Sequence, residues 1–85
     1  MSKNPKKTFK NLIFKNLIFK DLAMWSSRRE EYLICSFWDD DIRKYYNFNI
    51  YDKEMFPKVK SLKVNEKYDI VFSNFMVEDI IPHKN

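Results

Sequence analysis

The 85-residue chain contains no glycine. Glycine is the residue that enters left-handed backbone conformations without a steric penalty, so its absence narrows the loops this chain can build. Phosphate-cradling loops of the P-loop or dinucleotide-binding kind are excluded, because they need backbone to approach the ligand with no side chain in the way. Two-residue hairpins of the Asn-Gly type are excluded as well, so the expected turns are longer ones built from Asp, Asn and Ser.

The composition is otherwise that of a folded domain. Hydrophobic residues make up 45% and aromatics 18%, well above the range of disordered chains. A chain of this length makes one domain that buries roughly two-thirds of its unfolded surface. Eight Phe, five Tyr and two Trp exceed what so small a core houses, so some rings are expected at the surface, in contact with a ligand. The net charge of +4 is uneven: six lysines and no acid precede Asp21, whereas ten bases face twelve acids from Asp21 onward. Residues 1–8, polar, basic and carrying Pro5, read as a flexible tail, with residues 9–85 as a single small β-rich domain. Cys35 is the lone cysteine, flanked by Ile34 and Ser36 in an apolar run, and reads as a small core residue. A small domain without disulfide staples is expected in the reducing cytoplasm. The apolar stretch Leu12–Phe19 is interrupted by Lys15 and Asn16, so it is too broken to span a bilayer, and no membrane role is expected.

Most of the chain shows the two-residue alternation of strands. Leu22–Trp25, Glu31–Trp38, Arg43–Tyr51, Tyr68–Phe72 and Phe75–Ile81 read as strands, separated by the polar groups Ser26–Glu30 and Asp39–Asp41. Asp52 stands where a helix N-cap would, ahead of a short helix or turn over Lys53–Leu62 interrupted by Pro57. Lys10–Phe14 and Lys15–Phe19 form a tandem five-residue repeat, Lys-Asn-Leu-Ile-Phe. Five is odd, so a continuous strand would swap faces between copies, and on a helix the apolar positions spread around the circumference. A local duplication and a β-bulge both remain open, as do helix and strand.

Three strands, a short helix and two more strands is an order that resembles the oligonucleotide/oligosaccharide-binding (OB) fold, a five-stranded Greek-key barrel. The segment Leu62–Phe72 is similar to that fold's approach to its fourth strand, and the resemblance spans residues 21–81. It implies a mainly β chain with a short helix, folded as a small five-stranded OB-like barrel or a strongly curved antiparallel sheet. It also implies a ligand lying across the second and third strands between two loops. The chain departs from the family in lacking the glycines that help the first strand bend.

Catalysis finds little support. The one histidine, His83, sits near the C-terminus and reads as solvated. There is no Cys/His cluster for zinc, and Cys35 has no base within reach. Asp39, Asp40 and Asp41 are consecutive and point in different directions, which suits a solvated turn better than a cation site. No enzyme, metal or cofactor is therefore expected.

The aromatic alternation carries more. Tyr46, Phe48 and Ile50 on the third strand, Leu33, Cys35 and Phe37 on the second, and Leu22 and Met24 on the first make a core set. Their neighbours then share the opposite face. That face gathers Trp25, Tyr32, Trp38, Tyr45 and Tyr51, with Asn47, Asn49 and Ser36 between them and Arg28, Arg29, Arg43 and Lys44 at the margins. Rings that stack on unpaired bases, amides that bond base edges and a basic rim are what a single-stranded nucleic acid requires. The expected function is non-catalytic binding of single-stranded DNA, as an accessory to replication on a phage or mobile element. A protein-interaction module is the alternative, either a small subunit clamped to a larger replication enzyme or an inhibitor of a host defence nuclease. Such a partner would dock on the Leu12–Phe19 segment or on the aromatic face. A third reading makes this face ordinary core, covered by the N-terminal repeat folded back as a helix.

Overall fold

In the computed structural model, which describes residues 12–84, five antiparallel strands form one sheet. They are β1 (Leu12–Ser26), β2 (Glu31–Asp39), β3 (Lys44–Ile50), β4 (Lys67–Ser73) and β5 (Met76–Pro82). A 3₁₀ turn (Lys53–Met55) running into α1 (Phe56–Lys60) separates β3 from β4. The order across the sheet is β3-β2-β1-β4-β5, and the two outermost strands, β3 and β5, also touch. Among the described residues the sheet is not closed into a barrel. No helix among them is long and apolar enough to cross a membrane. The tail assigned to residues 1–8 lies outside the described residues.

From Leu12 onward the repeat is strand, and a bulge reconciles its odd period with one buried face. Phe14 pairs with Ile70 and Leu17 with Tyr68, so β1 carries one extra residue across that interval. Asn16 absorbs it with φ of 64°. Its backbone N–H donates to the Asp69 carboxylate at 2.9 Å. Phe14, Leu17 and Phe19 therefore share the inward side: Leu17 and Phe19 are buried and Phe14 packs against the core, whereas Leu12, at the start of the strand, is 57% exposed. A second bulge, between Phe19 and Asp21, keeps Leu22 on the same side. There the connector before β4 is stitched to β1. Asn65 N–H donates to the Phe19 carbonyl, Phe19 N–H to the Glu66 carbonyl, and Lys20 Nζ to Asn65 Oδ1. Bulged strands bend, so β1 curves from the β2 side to the β4 side without help from glycine.

Leu33, Cys35 and Phe37 of β2 and Phe48 and Ile50 of β3 are buried as expected, joined by Ile70, Ile80, Val77, Phe56 and Val59. Tyr46 and Leu22 pack at the margin. Met24, expected in the core, is 50% exposed, although it shares the face of its buried partner Leu33. Burial pushes the Cys35 thiol up to about 12, which leaves it a neutral packing group.

Three other expectations need correction. Pro57 does not interrupt the helix, since it sits in the first turn of α1, where no backbone N–H is needed. His83 is not simply solvated. Its N–H bonds to the Lys67 carbonyl, and its Nδ1 lies 2.7 Å from Asp69 Oδ1, so the chain beyond β5 stays on the sheet. Partial burial pushes the Asp69 carboxyl up, but the Asn16 N–H and the His83 ring together outweigh it and leave the group below its usual range. The turns are not all long either. β4 and β5 are joined by Asn74 and Phe75 alone, with φ of 53° and 64°, the signs of a type I′ turn. Asn supplies three of the five left-handed positions, at residues 16, 65 and 74, where glycine would be usual.

The β1 bulge is open to a direct test. Asn16→Val places a β-branched residue at a left-handed φ, which costs about 1–3 kcal/mol. The side-chain Oδ1 of Asn16 is buried with no hydrogen-bond partner among the described residues, so its removal adds no polar penalty. A urea melt should show that loss, and Asn16→Gly should show none of it.

Candidate nucleic-acid interface

The register of β1, β2 and β3 arranges the outward side chains in four cross-strand rows. Trp25 faces Tyr32, which in turn lies beside Tyr51, just past the end of β3. Next come Ala23, Ile34 and Asn49, then Asp21, Ser36 and Asn47, and last Ile18, Trp38 and Tyr45. Rows lie two residues apart, so the set extends about 20 Å along the strands.

The rings form two clusters. Trp25 stacks on Tyr32 with centroids 5.3 Å apart, and Tyr32 meets Tyr51 at 4.9 Å. At the far end Trp38 and Tyr45 are 4.7 Å apart. Trp25 and Tyr51 are each 45% exposed and Tyr45 58%, so the described fold does not bury them as core. The Leu12–Phe19 segment is itself part of β1, and does not fold back as a helix over this face.

Between the clusters the polar groups are already oriented. Ser36 Oγ–H donates to Asn47 Oδ1 at 2.7 Å, and Asn49 Nδ2 donates to Tyr51 Oη at 3.2 Å. That leaves the Asn47 amide nitrogen to donate outward and the Asn49 amide oxygen to accept.

The expected basic rim is only partly assembled. Arg28 and Arg29 stand on the β1–β2 turn, which Ser27 closes by accepting the backbone N–H groups of Arg29 and Glu30 on its hydroxyl. With Lys53 they line a shallow groove of about 180 Å³ at the Trp25–Tyr32–Tyr51 end, shared with Glu30 and Glu31. Arg43 lies at the other end, on the β2–β3 turn with φ of 57°. Lys44 is not brought to this face: its ammonium sits over the Tyr46 ring, 5.7 Å from the centroid, on the core side. The Trp38 end is acidic, and Asp40 accepts the Trp38 indole N–H at 3.1 Å.

One residue of this surface was not singled out by the sequence pattern. Phe75, which alternation assigns to the last strand, sits on the β4–β5 turn and is 80% exposed. With Phe72 it faces Asn47, Phe48, Asn49 and Tyr51 across a groove of about 350 Å³. The available signal was Asn74, a turn-forming residue between two alternating stretches. Compared with family models, curated proteins and solved structures, the chain matches none.

Proposed function

We propose that this chain is a non-catalytic domain that binds single-stranded nucleic acid, preferentially DNA, on an OB-like barrel left open at one seam. The strand order, with β3 and β5 in contact at its two ends, supports the barrel reading. The observation that carries the function is the pair of exposed ring clusters on the outward face of β1, β2 and β3, with oriented amides between them. Stacking on such rings needs an exposed base face, which a duplex hides. An accessory role in replication on a phage or mobile element is the setting that the size and composition suggest.

Charge plays the smaller part. Lys3, Lys6, Lys7 and Lys10 account for the whole excess of +4, and from residue 12 onward positive and negative side chains are equal in number. Stacking therefore dominates on the domain, while the N-terminal lysines add salt-dependent attraction. Of the two ends, Trp25–Tyr32–Tyr51 is the better placed, because Arg28, Arg29 and Lys53 there outnumber Glu30 and Glu31, whereas at Trp38 the acids Asp39, Asp40 and Asp41 outnumber Arg43.

The test is fluorescence anisotropy with single-stranded and duplex oligonucleotides of equal length. The single strand should bind more tightly. Removal of residues 1–8 should flatten the slope of log affinity against log salt by about 0.7 for each phosphate that is no longer neutralised, leaving the stacking and a smaller salt dependence from the remaining bases. Equal, weak binding to both nucleic acids that vanishes with the lysines would turn the aromatic face over to a protein partner. A specific observation favours that second reading: Leu12 and Ile13, at the start of β1, are both more than half exposed.

A further inference from the structure

We propose that β1 is a two-register strand, able to slide against β2 and β4 by one five-residue repeat, and that the second register carries Trp25 off the aromatic face and sets Lys20 opposite Tyr32. The inference stands apart from what that face binds.

The period runs beyond the two copies of Lys-Asn-Leu-Ile-Phe. Phe recurs at 9, 14 and 19, Lys at 10, 15 and 20, and Leu at 12, 17 and 22, while Asn11 and Asn16 are followed by Asp21. The bulges recur with it. One extra residue falls between Phe14 and Leu17 and another between Phe19 and Asp21, so Phe and Leu of successive copies reach the same side of the sheet. The strand is thus a series of equivalent five-residue units. A slide of one unit presents the sheet with the pattern it already holds, and register is pinned only where the hydrophobic pattern tells two alternatives apart.

In the second register each residue enters the site five positions nearer the β1–β2 turn. The sites on β1 that are buried or half-buried are those of Phe14, Asn16, Leu17, Ile18, Phe19 and Leu22. They receive residues 9, 11, 12, 13, 14 and 17, and at every one the residue type is unchanged. Residues 9 and 11 lie outside the described residues and enter this comparison by sequence. Every change of type falls at an exposed site. Two tertiary hydrogen bonds are reproduced as well, with Lys15 in place of Lys20 beside Asn65 and Asn11 in place of Asn16 beside Asp69.

What separates the registers is therefore confined to one end. The stack of Trp25 on Tyr32 belongs to the first. The second lengthens the β1–β2 connection from residues 27–30 to residues 22–30 and leaves Leu22, Met24 and Trp25 in it. Loop closure becomes costlier only slowly with length, so the second register is a minor state, held by about 0.1–10% of molecules. The opposite slide is blocked, because it would draw Glu31, the first residue of β2, into β1.

Lys20→Cys/Tyr32→Cys in the full chain tests this. Lys20 lies five residues along β1 from Trp25, the partner of Tyr32, so in the first register the two positions are roughly 15 Å apart, too far for a disulfide. In the second they face each other and should cross-link in native buffer under a mild oxidant, with peptide mapping to separate that bond from any to Cys35. Adding Leu12→Lys should cut the cross-link by at least about tenfold, because a lysine is tolerated at the exposed site of Leu12 but buries a charge at the site of Leu17. Leu12→Met, which fits both sites, should leave it. A cross-link unaffected by Leu12→Lys comes from unfolded chains and overturns the second register, as does the absence of any cross-link in a folded variant. In the chain without added cysteines, exchange-saturation NMR should find a second Trp25 indole signal that Leu12→Lys removes. A parent with a single Trp25 state overturns the proposal even where the cysteine variant fails to fold.

Discussion

Phe37→Ala should cost the domain about 3–5 kcal/mol, as large-to-small changes in packed cores do. Phe37 of β2 is fully buried, its ring meeting Phe19 at 5.4 Å, Phe48 at 5.9 Å and Tyr68 at 6.4 Å. Those neighbours come from β1, β3 and β4, so no single one can move to fill the space. A domain of this size holds a net stability of roughly 4–13 kcal/mol, and the substitution removes a large share of it. Equilibrium urea denaturation should register a fall in midpoint of at least about 1 M, with Phe37→Leu milder because it leaves a smaller cavity. Asn47→Ala, on the outward face, should stay within about 1 kcal/mol of the parent. The reverse ranking would mean that the two faces of the sheet are exchanged.

The double substitution Trp25→Ala/Tyr51→Ala should abolish most single-strand affinity in a domain that still folds. Each stacked ring contributes about 1–3 kcal/mol to binding, so losing two weakens it by roughly 30-fold or more. Both rings touch Tyr32, so the pair is expected to deviate from additivity. The stability loss is smaller. Cross-strand pairs contribute about 0.2–1 kcal/mol each, and both rings are already 45% exposed in the parent. Far-UV circular dichroism should therefore show an intact sheet beside a large loss of anisotropy signal. A folded double variant with parental affinity would remove this face from any role in binding the strand.

The two faces were legible in the sequence because strand alternation is local. In Tyr46, Phe48 and Ile50 against Tyr45, Asn47 and Asn49, each residue's side of the sheet follows from the parity of its position. The same parity places Met24 beside Leu33 yet does not fix burial, and Met24 is half-exposed. Parity failed outright at the Lys-Asn-Leu-Ile-Phe repeat. There the bulge at Asn16 depends on a partner 53 residues away, the Asp69 carboxylate. Lys44 was misplaced against this same parity: two residues before Tyr46 on β3, it shares the inward side, where its ammonium lies over the Tyr46 ring.

The sequence by itself determined a mainly β chain, its inward and outward sets on β2 and β3, and the use of Asn, Asp and Ser in its turns. Each of these depends on neighbours a few residues apart. Only the tertiary structure decided the order β3-β2-β1-β4-β5, the contact of β3 with β5, and the groove that sets Phe75 against Asn47, Asn49 and Tyr51. The absence of glycine misled at that turn for a physical reason. A left-handed φ is a penalty and not a prohibition, and the pairing of β4 with β5 on either side of Asn74 and Phe75 is strong enough to hold a phenylalanine in it.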